Sequence, residues 1–211
     1  MIRVTEVLDY FTEPELLKWI ENNSKAKRKA ISDEALRIGT TVDLLIQNEF
    51  KESIVKPIIL DNDKFKVENC MKAWKQFKKD YLMSLKSIVD IQTELISCDV
   101  MGHPDLISDT GQIWGIIDIK TSSAIRHRYW TQCAAYCWLR MMSQSFKFPD
   151  FIGIIRLDKL TGNYEYKEIR EPNYIQYEID TFQAYLKCYQ HAEKNREQLR
   201  LQLEKEMLNV S

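Results

Sequence analysis

Residues 102–120 read GHPDLISDTGQIWGIIDIK, and this stretch sets the architecture that we predict for the chain. Two runs rich in apolar residues, 102–108 and 113–120, have the length and composition of β-strands. Residues 108–112, SDTGQ, have the composition of a turn. With a preceding run at 94–100, these two runs predict three consecutive strands, and the turn joins the last two strands in a hairpin.

The second strand of this hairpin carries two charged residues on one face. Side chains at positions i and i+2 of a strand point the same way, so Asp118 and Lys120 project together while Ile117 points to the opposite face. The hairpin brings Asp105 beside Asp118. Two carboxylates and a backbone carbonyl, that of Ile119, then converge at the end of a sheet, and this donor set suits Mg²⁺ or Mn²⁺.

An Asp-x-Lys triplet has a simpler interpretation, which is an exposed ion pair on a strand. Asp118 argues against it, because apolar residues flank it in a strand that the pattern predicts to be buried on both faces, and a charge there needs a reason. Phosphodiester hydrolysis supplies one. A divalent ion neutralises the scissile phosphate and activates a bound water. Lys120 can position or help deprotonate that water, and it can also stabilise the charge of the transition state.

The rest of the chain adds helices before and after these strands. Upstream we predict one or two short helices broken near Pro14, a helix from Ser32 to Phe50 that Gly39 and Thr40 interrupt, and a lysine-rich amphipathic helix at 64–87. Downstream we predict a buried helix at 126–143, strands at 151–157 and 164–169, and a helix at 174–209.

This order of elements predicts an α/β fold with a central mixed sheet of about five strands flanked by helices. N-terminal helical additions and a long C-terminal helix complete it. We expect one domain over residues 1–211, with a mainly helical part at 1–88, a catalytic sheet core at 89–170 and a C-terminal helix at 171–211.

The composition limits the functional classes only loosely. Hydrophobic residues make up 45% of the chain, enough for a substantial core. Thirty Lys and Arg against 31 Asp and Glu give a net charge of -1, which neither supports nor excludes a nucleic-acid partner. The N-terminus does not resemble a secretory signal, and no apolar run approaches the ~20 residues of a membrane span. We therefore expect a soluble, intracellular protein without membrane contact.

The cysteines indicate a reduced protein. There are five, an odd number at irregular spacing, which argues against a disulfide framework. Cys133 and Cys137 lie four residues apart and would share a helix face, so we expect them to be small buried hydrophobic residues.

Three short motifs follow one another along the chain, namely Gly102-x-x-Asp105, Asp118-x-Lys120 and Gln132-x-x-x-Tyr136. In kind and in order they resemble the motifs of the RecB-like branch of the PD-(D/E)XK nucleases, which includes phage-type exonucleases. The resemblance implies a restriction-endonuclease-like core and a catalytic set of Asp105, Asp118 and Lys120, with Mg²⁺ or Mn²⁺ as cofactor. It also implies that Gln132 and Tyr136, which share a helix face, look onto the site and bind DNA.

A weaker part of the resemblance lies upstream. The segment Gly39-Thr-Thr-Val-Asp43 is similar to a G-T-x-x-H segment of the family whose histidine binds metal. Here Asp43 stands at that position. Some exonucleases of the phage lambda type carry an acid in the matching helix, so we expect Asp43 in the metal shell, with an exposed helix acid as the alternative. Glu94 resembles a common family glutamate and is either a further metal-site residue or a surface residue.

Two arginines flank the site in sequence. Arg126 and Arg128 precede Gln132 and are candidates for gripping backbone phosphates of DNA, with a solvated helix entry as the alternative. The members of this family that hold an iron–sulfur cluster have one cysteine upstream and three near the C-terminus. Only Cys188 lies late in this chain, so we expect no iron–sulfur cluster.

Together, these features predict a metal-dependent DNA nuclease. The resemblance favours an exonuclease or end-processing enzyme acting on single- or double-stranded ends in replication, recombination or repair. A non-cleaving nucleic-acid-binding or assembly module with the same fold is one alternative, motivated by Asp43. An RNA-processing nuclease is another, because the same metal chemistry serves both polymers. The charged segment 193–207 is a candidate for docking a protein partner or for self-association.

Overall fold

The computed structural model describes residues 1–11, 14–50, 55–82, 88–144 and 147–208. The helices are α1 (Val4–Tyr10), α2 (Pro14–Glu21), α3 (Lys25–Asn48), α4 (Asp61–Phe77) continued by a π-helical turn (Lys78–Leu82), α5 (His127–Gln144) and α6 (Pro172–Leu208). The strands are β1 (Ile2–Arg3), β2 (Ile88–Ile91), β3 (Leu95–Ser97), β4 (Val100–Gly102), β5 (Leu106–Asp109), β6 (Trp114–Lys120), β7 (Phe151–Leu157) and β8 (Tyr164–Ile169).

A five-stranded sheet with the order β2-β5-β6-β7-β8 forms the centre of the fold. Strands β6 and β7 are parallel, and the other neighbouring pairs are antiparallel. A smaller sheet has the order β1-β4-β3. The predicted α/β architecture, with a mixed sheet of about five strands, flanking helices and a long C-terminal helix, is confirmed; α6 alone has 37 residues.

Helices cover both faces of the central sheet. Ile116 and Ile154 belong to a core that includes residues of α1, α5 and α6. Their neighbours Ile117 and Ile155 belong to a second core, built with α3 and α4. The prediction that β6 is buried on both faces is therefore confirmed. The charged residues at the end of β6 lie between two apolar layers, which limits their contact with water.

The parallel pair β6 and β7 needs a crossover connection, and α5 provides it. The helix predicted at 126–143 and the strands predicted at 151–157 and 164–169 are confirmed to within one residue. Cys133 and Cys137 on α5 are fully buried, as predicted. None of the helices in the described part of the chain is both long enough and apolar enough to cross a membrane.

Helix α3 differs from the prediction. It begins at Lys25, not at Ser32, and continues through Gly39 without interruption. Ser24 caps it, because the Ser24 side chain accepts a hydrogen bond of 3.3 Å from the backbone N–H of Lys27. A glycine inside a helix weakens it by only about 1 kcal/mol, which tertiary packing readily offsets.

Two of the predicted strands also differ. The run at 94–100 is split into β3 and β4, because Cys98 and Asp99 reverse the chain with φ angles of 51° and 63°. The run at 102–108 becomes a strand only from Leu106, and β2 was not predicted. The helix predicted at 64–87 begins earlier, at Asp61, and is helical to Leu82. Its last predicted residues, 83–87, lie outside the described residues.

Candidate active site

Asp118 and Lys120 lie at the C-terminal end of β6. Their shared face, expected from strand alternation, is confirmed by an ion pair in which Lys120 Nζ lies 2.5 Å from Asp118 Oδ2. Asp118 is only 1% exposed. The Lys120 side chain is 20% exposed, and its Nζ lies 5.0 Å from the ring centre of Tyr129. The pair is therefore enclosed, with the ammonium group at its open side.

Burial controls the ionisation of this pair. Desolvation raises the pKa of Asp118 to about 7; the attraction of Lys120 lowers it, and the neighbouring Asp105 raises it again. Burial alone would lower the pKa of Lys120, but the charges of Asp118 and then Asp105 outweigh it and raise that pKa. At neutral pH the lysine is therefore charged, and Asp118 takes up a proton at a higher pH than an exposed aspartate does.

Asp105 is fixed against the same strand. Its Oδ2 accepts a hydrogen bond of 2.6 Å from the backbone N–H of Ile119. The register of β5 and β6 pairs Leu106 with Ile117, which places Asp105 beside Asp118 across the hairpin. The predicted convergence of Asp105, Asp118 and Lys120 is thus present in the structure. The role of the Ile119 carbonyl as a metal ligand stays a prediction.

Asp43 joins this group from α3. Gln92, just after β2, donates from one side-chain nitrogen to Asp43 Oδ1 at 3.1 Å and to Asp105 Oδ1 at 2.8 Å. Gln47, one turn along α3, donates to Asp43 Oδ2 at 2.8 Å. Asp43 is thus half-buried and belongs to a hydrogen-bond network that reaches Asp105 through Gln92, whereas its role in a metal shell stays a prediction.

Gln92 was not among the site residues predicted from the sequence. It follows a strand that was not predicted, and its φ angle of 52° is unusual for a residue other than glycine. The backbone N–H of Gln92 donates to the carbonyl of Pro104 at 3.1 Å, which ties it to the segment carrying Asp105. A single glutamine outside any motif gives no local signal, so only the tertiary structure reveals it.

Gln132 and Tyr136 of α5 lie at the back of the site. Gln132 Nε2 donates to Tyr136 Oη at 2.9 Å, and both side chains are buried. Burial raises the pKa of the Tyr136 hydroxyl, and the nearby Asp118 raises it further. Their predicted position facing the site agrees with this electrostatic coupling, whereas their contact with DNA stays a prediction.

The glycine of the first motif has a packing explanation. A Cβ on Gly102 would lie 2.5 Å from Tyr136 Cε1 and 3.2 Å from Val4 Cγ2. The Tyr136 ring therefore occupies the space that any side chain at position 102 would need. Gly102 and Tyr136, which belong to different motifs, form one packed contact between β4 and α5.

The remaining predicted residues lie around this centre. Arg128 pairs with Asp9 of α1 at 2.5 Å, and Arg126 is half-buried just before α5. The exposed carboxylate of Glu94 lies 3.5 Å from His103 Nε2. The structure thus places Glu94 in a surface pair; its proposed role in the metal shell is not tested by this contact.

The donor set fits a hard divalent cation. Asp105 and Asp118 present carboxylate oxygens at one sheet edge, and such oxygens together with water and backbone or amide carbonyls are the ligands of Mg²⁺ and Mn²⁺. Over the described ranges, no three His, Cys, Asp or Glu side chains form a complete metal-binding group. A bound ion would therefore take further oxygens from amides, backbone or water.

No protein-family model and no curated protein matches the chain. Among solved structures, the alkaline exonuclease LHK-Exo from Laribacter hongkongensis is similar with 14% identity and a TM-score of 0.40, covering 94% of each chain. LHK-Exo in complex with dAMP has 16% identity and a TM-score of 0.37, covering 78% of this chain and 97% of that one. Because the identities and TM-scores are this low, the function of this protein is inferred from the geometry of its site.

Proposed function

We propose that this protein is a metal-dependent nuclease of the PD-(D/E)XK type that hydrolyses phosphodiester bonds in DNA. The observation that carries the proposal is the buried pair of Asp118 and Lys120, with Asp105 held against the same strand by the Ile119 N–H. A buried acid–lysine pair beside a second carboxylate is costly to desolvate, and groups whose pKa values are shifted by burial and by a specific charged partner cluster at functional sites.

Each residue has a definite part in the proposed reaction. Asp105 and Asp118 would hold Mg²⁺ or Mn²⁺, which when bound neutralises a phosphate and lowers the pKa of a coordinated water. Lys120 keeps its charge because Asp118 and Asp105 raise its pKa, so it acts as a hydrogen-bond donor and electrostatic stabiliser, not as a proton acceptor. Asp118 orients the ammonium group through their ion pair.

The enclosure of the site supports a catalytic role. Tyr129 packs over Lys120, and Gln132 with Tyr136 closes the rear, so the charges interact with little screening by water. Of the two arginines predicted to contact phosphates, Arg126, just before α5, is the nearer in sequence to Lys120. We propose exonuclease or end-processing activity in replication, recombination or repair, since the sequence resemblance favours enzymes that act on DNA ends.

The experiment compares linear duplex DNA labelled at its 5′ or 3′ end, the same DNA as a closed circle, single strands and an RNA strand, each with Mg²⁺, Mn²⁺ or a chelator. We expect cation-dependent degradation of linear DNA, little effect on circles and loss of activity in Asp118→Asn. Asp33→Asn, which alters an exposed Asp–Lys pair on α3, is the matched control and should remain active.

Two results would contradict the proposal. Intact linear DNA under all conditions would favour a non-cleaving binding module, and equal activity of Asp118→Asn and wild type would place the chemistry elsewhere. Cleavage of RNA alone would keep the metal site but change the substrate.

A further inference from the structure

Gln92 lies between the helix α3 and the catalytic hairpin. Its Nε2 donates to Asp43 Oδ1 and to Asp105 Oδ1, so one amide group connects carboxylates from two separate elements. Asp105 uses its other oxygen for the Ile119 N–H. The amide of Gln92 is therefore within the first layer of groups around the proposed catalytic carboxylates.

The backbone of Gln92 adopts an unusual conformation that directs its side chain toward these carboxylates. A glutamine with a φ of 52° occupies the left-handed region, which costs free energy and persists only where the surroundings enforce it. The hydrogen bond from Gln92 N to Pro104 O fixes the residue directly beside the segment that leads into Asp105. This arrangement aims the side chain at Asp105 instead of at solvent.

The two ends of the amide are used differently. The nitrogen donates both hydrogen bonds of the side chain, to Asp43 and to Asp105. Across the described residues, no donor reaches Gln92 Oε1. A neutral amide oxygen is one of the hard ligands that Mg²⁺, Mn²⁺ and Ca²⁺ take in proteins, alongside carboxylates. Its nitrogen can hold the carboxylates while its oxygen binds a cation, because the two atoms do not compete.

We propose that Gln92 belongs to the divalent-cation site, with Nε2 positioning Asp43 and Asp105 and Oε1 serving as a ligand. The inference rests on the proposed function, because it concerns the same site. This role of Gln92 also explains the contribution of Asp43. Both oxygens of Asp43 accept hydrogen bonds from amides, and through one of these bonds Asp43 anchors the glutamine that provides the ligand. An oxygen ligand from Gln92 also supplements the two carboxylates of Asp105 and Asp118.

The test is calorimetric titration of the full chain with MnCl₂, without any nucleic acid. Gln92→Leu should weaken Mn²⁺ binding at least about tenfold, as expected for loss of a group in or next to the coordination shell. Gln92→Glu keeps an oxygen at this position and should bind Mn²⁺ as tightly as wild type or more tightly. Gln47→Leu removes a different amide donor to Asp43 but leaves Gln92 in place, so it should weaken Mn²⁺ binding less than Gln92→Leu does.

A second readout follows the thermal unfolding of the same variants. Gln92→Glu brings a third carboxylate to Asp43 and Asp105, so its melting temperature should fall in a chelator and recover on addition of Mn²⁺. This gain from Mn²⁺ should exceed that of wild type. If Gln92→Leu does not fold, the Gln92→Glu titration and this recovery decide the question.

The outcomes separate this inference from the proposed function. A wild-type protein that binds no Mn²⁺ overturns both. A wild type that binds Mn²⁺ and cleaves DNA, together with Gln92→Leu of unchanged affinity, overturns only the role of Gln92. If Gln92→Glu binds as weakly as Gln92→Leu, only the amide nitrogen matters and the oxygen is not a ligand.

Discussion

Replacing Gly102 with alanine tests the packing that joins two motifs of the site. The added Cβ would lie 2.5 Å and 2.7 Å from ring atoms of Tyr136, and 3.2 Å from Val4 Cγ2. Ordinary carbon contacts are about 3.5–4 Å, so the ring must move by roughly 1 Å. Tyr136 is buried and bonded to Gln132, so it has little room to do so.

Overpacking of this kind costs about 1–3 kcal/mol. For a domain of 150–250 residues, each kcal/mol lowers the melting temperature by about 2–4 °C, so Gly102→Ala should melt roughly 2–12 °C below wild type. Differential scanning calorimetry at pH 7.5 measures the change. Because Tyr136 closes the rear of the site, nuclease activity should also fall in this variant.

Gly39→Ala is the matched control. A Cβ at Gly39 would lie 3.6 Å from Thr121 Oγ1, which is an ordinary contact, and Gly39 lies inside α3. Alanine is favoured over glycine in a helix by roughly 0.5–1 kcal/mol, so this variant should be as stable as wild type or more stable. Equal melting temperatures for Gly102→Ala and wild type would refute the close approach of β4 to Tyr136.

Three further results follow from the burial of the charged and thiol groups. Mn²⁺ affinity, measured by calorimetry, should fall as the pH drops below about 7, because protonation of Asp118, whose pKa burial raises to about 7, competes with the metal; a flat profile from pH 8 to 6 would contradict this. In Lys120→Met the pKa of Asp118 should rise further. When folding raises the pKa of an acid, the free energy of unfolding is highest at low pH and falls as the pH rises through that pKa. Urea unfolding should therefore show that Lys120→Met still loses stability relative to wild type between pH 7 and 9. A disulfide reagent should label the exposed Cys98 and Cys188 quickly and the buried Cys70, Cys133 and Cys137 only on unfolding, as peptide mass spectrometry would show; rapid labelling of Cys133 would show that α5 is not packed as described.

The centre of the site was predictable because it depends on local periodicity. Strand alternation alone puts Asp118 and Lys120 on one face, and the turn at 108–112 brings back Asp105. The short, isoleucine-rich segment 151–157 also predicted the bounds of β7 correctly, because its length and its β-branched residues favour a strand over a helix.

The surroundings of the site were not predictable for the opposite reason. The continuity of α3 through Gly39 reflects tertiary packing, in which Ile38 and Val42 on either side of the glycine are buried, and no local sequence pattern reports it. Gln92 follows the strand at 88–91, which has no clear signal in the sequence, and it precedes a tight loop. Its role depends on two carboxylates that are 49 and 13 positions away in sequence. The burial of Tyr136 likewise depends on a glycine that is distant in sequence.

The most direct test of the account is the rate at which end-labelled linear DNA is degraded by wild type and by Asp118→Asn under single-turnover conditions with Mn²⁺. The substitution keeps the size of a side chain that is 1% exposed but removes its charge. We predict cation-dependent cleavage by wild type and a loss of at least about a hundredfold in the variant, above the range seen for groups outside the metal shell. Cleavage at equal rates, or cleavage by wild type that persists in a chelator, would contradict it.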